Sequence, residues 1–537
     1  MKKLMKKLFC FALVVAMLLG VCACGTKKEI SGEQALEVYL WDAGYGTEWM
    51  TSALAAFAQQ DWVKEKYPNL QYKLVSNDQS GYAEGRIGAG SANSIDLFFA
   101  SSLQGTFKTL TVDLTDGLFN SKVPGEDVLY KDKMQPYILD ALNYKDELGK
   151  KTDKFYGTGY SDGMTGFIYN RTLFERLGLE LPRTTDELVA LCQKVKDMGG
   201  KNPAYPYTYT IISSKIAYSD RLVDVWWAQY DTAEGVNNYF NAIAPDGTRN
   251  SVEIFNENGR LETAKIYESL YKKDAGYFDR SSYNYEFIQG QTRMLIGEGL
   301  LMVCGEWFSA EMRDLANEYI ERGYDYDIGM MNVPVVSAII NKTPTIKNDA
   351  MLSQVIADID AGLTAPSDST VSAEDFAFIM KARGVHTTRD AMSSTAVIPK
   401  DSDAVEVAID FLRYLATDEA LSIYAEKTYG GMMPFDYEIK KDNPALHEKL
   451  IKEYGKTYEV MQNVSDILHK PYSSGVSYTS PMLTYSAFTA FTSPNMEGKF
   501  MSDDNLTAED YIANHDSYWL DNNAANFQKA LARAGLS

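Results

Sequence analysis

Residues 159–163 read Gly-Tyr-Ser-Asp-Gly, and this G-x-S-x-G spacing is where the sequence offers a nucleophile in a catalytic pattern. Such an elbow needs a strand before the serine and a helix directly after it, so that the hydroxyl is lifted out of the sheet. The residues that follow, MTGFIYN, read as a strand, which makes a Ser161-dependent hydrolase the less favoured use of the motif. His386, His447, His469 and His515 all lie downstream, so the chain order of a triad stays open, but no oxyanion motif is evident. Other reaction chemistries find less support. Gly455-Lys456-Thr457 lacks the upstream glycine of a phosphate loop, because Leu450 stands there. His447-Glu448 has no second histidine at zincin spacing, and Asp358-x-Asp360 lacks the rest of a calcium loop. No spacing singles out the facing carboxylates of a glycosidase. No metal or cofactor is implied.

Binding chemistry is better supplied. The chain carries 36 Tyr and 7 Trp, side chains whose flat apolar face and polar edge suit a sugar ring. Tyr160 offers such a face in the middle of residues 155–170, and Ser161 and Asp162 add hydrogen-bonding groups. Gly157, Gly159, Gly163 and Gly166 let that backbone bend or approach closely. Trp41, Asp42 and Tyr45 stand at and after the carboxyl end of a predicted strand. Asp96 and Glu306 are further acceptors for ligand hydroxyls. Trp226 and Trp227 are adjacent and cannot share one helix face, so one is expected at a cleft and the other in the core.

Those residues need a frame, and the apolar periodicity supplies one. Residues 36–41 (LEVYLW) predict a strand, 42–46 a loop, and Met50, Leu54, Phe57 and Ala58 a helix ending before Pro68. Strand 71–76, helix 81–90 and strand 95–100 follow. Strand–helix–strand alternation over such a short stretch predicts a parallel, doubly wound sheet, whose ligands sit beyond the carboxyl ends of its strands. Residues 155–170 predict a strand that leaves one lobe, crosses a cleft and starts a second, an ordinary glycine-rich hairpin being the alternative. Beyond it, Thr184-Thr185-Asp186-Glu187 fits a capping box for a helix with Leu188, Leu191, Cys192 and Val195 on one face, stopped by Gly199-Gly200. Residues 205–239 are aromatic and polar. Residues 293–304 predict a strand pair closed by Gly305-Glu306-Trp307, and 328–334 a short strand. A helical insertion spans 348–383, a strand 395–399, a helix 404–415 and a shorter helix ending near Lys427. Glycines at 430–431 then break the pattern. No low-complexity linker divides the chain, so ordered strands must join the lobes.

The N-terminus has Lys2, Lys3, Lys6 and Lys7, an apolar run over residues 8–20, and then Val21-Cys22-Ala23-Cys24, the outline of a secretory signal. The formal charge of −21 becomes about −25 once those lysines are removed, and no basic stripe remains. That argues against nucleic acid or anionic phospholipid as a partner. After cleavage only Cys24, Cys192 and Cys304 remain, and the last two read as core thiols.

Four stretches carry a family likeness: VCAC at 21–24; VYLWDAGYGTEWM followed by IDLFF; FYGTGYSDGMTGFIYNRTLFERLGLELPRTTDEL; and TAVIPKDSDAVEVAIDFLRYLATDEALSIYAEKTYGG. The most specific reads YN-x-x-LF-x-x-x-GL-x-x-P-x-TxxEL. On these the chain resembles the extracellular solute-binding lipoproteins of bacterial ABC importers, in the carbohydrate-binding group that includes the maltose-binding-protein type. The likeness covers most of residues 36–440 and is weak in the insertion and in the tail. It implies an α/β, two-lobed periplasmic-binding-protein-like fold, each lobe a mostly parallel sheet flanked by helices, joined by hinge strands. Lobe one would comprise 36–155 plus 390–428, and lobe two 160–385 plus 430–537, after a signal peptide over 1–23 and a tether over 24–35. The chain would return between lobes near 386–395 and 428–434. VCAC would be a lipobox, with Cys24 acylated and the protein held at the outer face of the cell membrane. Trp307 stands where proteins of this family often place a sugar-stacking tryptophan. The resemblance implies a sugar or oligosaccharide ligand, ABC permease subunits as partners, a monomer, no cofactor and no covalent chemistry. A peptide or other polar solute is the alternative ligand.

Overall fold

Two separate sheets organise the chain, and each is built where apolar residues run almost without interruption. The structure is a computed structural model describing residues 30–533, apart from 31, 43, 78, 80, 91–92, 102–108, 145–150, 163–164, 215–220, 241, 249–251, 257, 388–393, 454–473, 477–495 and 520–523. The signal segment, Cys24, Gly163, residues 455–457 and His469 lie outside the described residues.

The strands are β1 (Ala35–Trp41), β2 (Gln71–Asn77), β3 (Leu97–Ser101), β4 (Thr158–Gly159), β5 (Thr165–Asn170) and β6 (Ile211–Ile212). After them come β7 (Leu301–Gly305), β8 (Ile328–Met331), β9 (Val385–Thr387), β10 (Ser394–Val397) and β11 (Ser474–Val476). The first sheet has the order β2-β1-β3-β10-β4 and the second β6-β7-β5-β8, with β9 and β11 forming a separate pair. In each large sheet one strand runs against the rest: β10 in the first, β5 in the second.

Period-two alternation assigns the faces of the first sheet. Leu36, Val38 and Leu40 of β1 and Leu97 and Phe99 of β3 enter one core with the helices Glu48–Gln59, Val405–Leu415 and Asp418–Lys427. Tyr39 and Phe98 point the other way, into a smaller cluster with Ala83, Ile87 and Ile95. Both faces are covered, as a largely parallel sheet requires. The second sheet has its own core, to which Phe167, Ile168, Leu301, Met302, Trp226 and Tyr267 all belong.

Thr184 caps its helix, accepting from the Glu187 N–H at 3.2 Å, while the Glu187 carboxylate reaches one residue past the expected partner, to the Arg183 N–H at 2.6 Å. Leu188, Leu191, Cys192 and Val195 are buried, and Gly199 ends the helix in the left-handed region. Cys192 and Cys304 are buried free thiols, and burial pushes the Cys192 thiol up to about 12.

Two expectations need correction. The apolar run over 293–304 is not a strand pair: its first residues finish the helix Phe287–Leu295, and only β7 is extended. Gln289 accepts from the Glu286 N–H at 3.0 Å, and this start signal wins over the strand propensity downstream. The tail is also divided. Residues 430–537 were expected in lobe two, yet Met433, Phe435, Tyr437, Ile439, Leu446 and Leu450 pack into the first sheet's core, whereas Met496, Phe500, Ala508 and Leu531 pack into the second's. The insertion forms two helices, Asp349–Asp360 and Ala373–Arg383, around a small core of their own.

Candidate functional site between the two sheets

β4 pairs in the first sheet and β5, which begins six residues later, pairs in the second, so the chain passes directly from one to the other. It leaves at the edge where β1, β3 and β4 end, and arrives at the edge where β6, β7 and β8 end. The carboxyl ends of both sheets therefore meet around residues 160–162.

The crossing residues are held from both sides. The Tyr160 N–H donates to the Ser394 carbonyl at 3.1 Å and the Asp162 N–H to the Met432 carbonyl at 2.9 Å. The Tyr160 ring stacks on Trp49 and meets Phe99 edge-on, centroids 6.2 and 5.2 Å apart, and burial raises its phenol above the usual tyrosine range. Tyr160 is thus a wedge in the first core and presents no open face. Ser161 is buried beside Tyr424, whose phenol is pushed well above the usual tyrosine range by burial. The segment after Ser161 continues into β5, so the strand-to-helix turn of a nucleophile elbow is not formed.

Across the junction, Tyr45 on the loop after β1 hydrogen-bonds through its hydroxyl to the carboxylate of Glu306, the residue after β7. Glu306 is buried, and Trp307 beside it is half-buried. Gly44, at φ 64°, lies beside Trp307, where a Cβ would be in ordinary contact 3.5 Å from the Trp307 Cβ. A Cβ at Gly305 would lie only 2.1 Å from Cζ3 of Trp307, so this ring lies against glycine backbone. The guanidinium of Arg221 sits over the same ring at 5.3 Å and donates through Nη1 to Thr165 Oγ1 at 2.9 Å. Further along the contact, Tyr429 adopts φ 61° and Gly430 φ 100°, and Arg313 of the helix Phe308–Glu321 lies 4.5 Å over the Tyr429 ring. One helical turn after Trp307, burial raises the Glu311 carboxyl to about 7 while Gln291 donates to it at 2.7 Å.

Of the residues nominated from sequence, Tyr45, Ser161, Asp162, Glu306 and Trp307 come together here, with Tyr160 behind them. Trp41 is half-buried against the small cluster around Tyr39, and Asp42 is exposed beside it. Asp96 is placed elsewhere: it is buried, its Oδ2 accepts from the Glu37 N–H at 2.9 Å and its Oδ1 from Ser402 at 2.8 Å, so it braces the first lobe. Neither Trp226 nor Trp227 reaches a surface, contrary to the split expected from their adjacency. The helix Arg221–Phe240 is packed on several sides, both rings are fully buried, and the Trp226 indole donates to the Pro334 carbonyl at 3.1 Å. Arg221, Thr165, Tyr424, Tyr429 and Arg313 were missed. Each is an ordinary residue of a strand end, helix or turn, and no sequence spacing marks it.

Among the described residues no helix is long and apolar enough to cross a membrane, and no cluster of three or more metal-ligating side chains occurs.

The model of a family described as bacterial extracellular solute-binding protein matches residues 43–422. The galactooligosaccharide-binding protein of Bacillus subtilis (strain 168) is 22% identical over 386 residues, covering 70% of this chain and 77% of its own. A protein solved in work on xylan utilization by Caldanaerobius polysaccharolyticus superposes with a TM-score of 0.57 at 15% identity, over 90% of this chain and 99% of that one. An ABC transporter solute-binding protein from Thermotoga lettingae, bound with α-D-tagatose, superposes with a TM-score of 0.54 at 16% identity, over 93% and 100%. These likenesses carry the two-lobed α/β fold.

Proposed function

The chain belongs to the bacterial extracellular solute-binding protein family, and from that premise we propose that it captures a sugar, an oligosaccharide by preference, between its two lobes and delivers it to the permease of an ABC importer. The observation that carries this reading is the meeting of Tyr45, Glu306 and Trp307 from opposite sheets at their carboxyl ends. An aromatic face beside a carboxylate matches a pyranose, which offers C–H groups on its faces and hydroxyls around its rim. The relatives named above add support through the ligands in their descriptions, a galactooligosaccharide and α-D-tagatose. Capture is a hinge closure: the ligand stabilises the closed arrangement by the contacts it gains there. The crossings near Ser161 and Gly430 would be the hinges, a reading supported at the second by the positive φ angles of Tyr429 and Gly430. The VCAC segment supports acylation of Cys24, which would tether the receptor at the outer face of the cell membrane.

A second reading, a receptor for a peptide or other polar solute, draws on Arg221 over Trp307 and Arg313 over Tyr429 at the same junction, since arginines suit carboxylate termini. A thermal-shift screen of residues 25–537 against mono- and oligosaccharides and short peptides separates the two. A saturable rise in Tm with sugars, and sugar recovered unchanged, is the expected result, because a ligand that binds only the folded state stabilises it. A rise with peptides alone would replace the sugar reading, and turnover lost on Ser161→Ala would replace both.

A further inference from the structure

The register of the second sheet places Thr165 of β5 opposite Gly305 of β7, two residues before Trp307. The absent side chain at Gly305 is what lets the six-membered ring of Trp307 lie down on the backbone, because a Cβ would lie only 2.1 Å from Cζ3, 2.3 Å from Cη2 and 2.4 Å from Cε3. One face of the indole is therefore closed by main chain. The guanidinium of Arg221 also lies over the ring, its Cζ 5.3 Å from the centroid. Thr165 Oγ1 accepts from Arg221 Nη1 at 2.9 Å and fixes the angle at which the guanidinium meets the ring. Arg221 opens the helix Arg221–Phe240, so its backbone is anchored by the same core that holds Trp226.

Resting on the sugar-site reading above, we propose that Arg221 is a specificity-determining residue that competes with the ligand for the face of Trp307 that it covers. A pyranose and a guanidinium cannot occupy one ring face together. A neutral sugar must lift Arg221 off the indole, exchanging a cation–π contact for a CH–π contact, and the strength of the displaced contact is subtracted from its affinity. Sugars whose hydroxyls can accept from the displaced guanidinium recover part of that loss, and sugars that only stack do not. The arginine thereby discriminates among ligands that present the same face to Trp307.

The test uses the full chain in detergent with Arg221→Ala, Arg221→Lys and Arg221→Ala/Trp307→Phe, and maltotriose, xylotriose and raffinose as probes. Before sugar is added, Arg221→Ala should raise acrylamide quenching of tryptophan emission, and the increment should vanish in the double variant. In calorimetry, Arg221→Ala should bind whichever probe the wild type binds about two- to fivefold more tightly, the displaced contact being worth about 0.5–1 kcal/mol. Arg221→Lys, which keeps a cation but loses the planar fork on Thr165, should fall between. If Arg221→Ala melts below the working temperature, Thr165→Val loosens the same contact and should show the same signs. Weaker binding in Arg221→Ala would make the arginine a ligand contact and overturn the proposal. Sugar binding with unchanged quenching would overturn it alone, whereas no binding of any probe by the wild type would remove the sugar-site reading and this proposal with it.

Discussion

Trp226 and Trp307 belong to the same lobe and lie on neighbouring elements, yet they have opposite fates. Trp226 sits inside a helix that other elements cover; its ring meets Tyr267 edge-on at 5.6 Å and its indole N–H is satisfied by the Pro334 carbonyl. Trp307 follows a strand end and remains half-buried, leaning on Gly305, Arg221 and the loop of the opposite lobe. The lesson is that the side chain's chemistry is shared while its role is set by where the backbone stops. A residue within a packed element has neighbours all round it, and a residue just past a strand's carboxyl end faces the junction.

That contrast can be tested by measurements on the two sites. Trp226→Ala should lower stability by about 3–5 kcal/mol, seen as a large fall in the denaturation midpoint. Trp307→Ala should cost only about 1–2 kcal/mol in stability and weaken sugar binding roughly tenfold. Equal stability losses at the two positions would erase the distinction.

Glu311 sharpens it, because it stands one helical turn after Trp307 and is half-buried, yet its carboxyl is perturbed by burial. Burial raises its carboxyl from 4.5 to about 7, so the folded chain holds this proton more tightly than the unfolded chain does. Its contribution is complete below about pH 4.5, falls as pH rises towards 7, and is absent above that. Glu311→Gln should remove this slope and be more stable than wild type by on the order of 2–3 kcal/mol at pH 8, read from denaturation at several pH values. An unchanged pH profile would mean that solvent reaches the carboxylate.

Asp96 gives a smaller effect of the same kind. Asp96→Asn should cost about 2 kcal/mol, by weakening its bonds to the Glu37 N–H and Ser402, and leave ligand affinity unaltered. A loss of affinity without a loss of stability would return Asp96 to the ligand site. Smallest of all, Tyr45→Phe removes one hydroxyl from the interlobe contact with Glu306 and should change stability by about 1 kcal/mol or less. Its signature is a faster ligand off-rate in stopped flow, since the contact holds the two lobes together.

The sequence by itself determined the local elements. The apolar alternation of 36–41, 71–76 and 95–100 gave strands within two residues of their observed bounds, and the T-x-x-E signal at Thr184 gave a helix start. The glycine-rich crossing at 155–170 was legible only in part: extended, apolar ends flanking small residues fit a hairpin too, and the pairing of β4 and β5 in different sheets decides for a crossing. The tertiary structure decided which nominated side chains meet. Tyr45 and Glu306 are separated by 261 positions, and nothing near either residue encodes the other. Arg221 was invisible because its role comes from lying over Trp307, and that depends on a glycine two residues before the tryptophan. The division of the tail between two cores was hidden likewise. An apolar residue at 433 or 496 seeks burial in either case, and only the path of the chain selects the core. Local propensity reads a few residues at a time, whereas a site between lobes is fixed by contacts that span the chain.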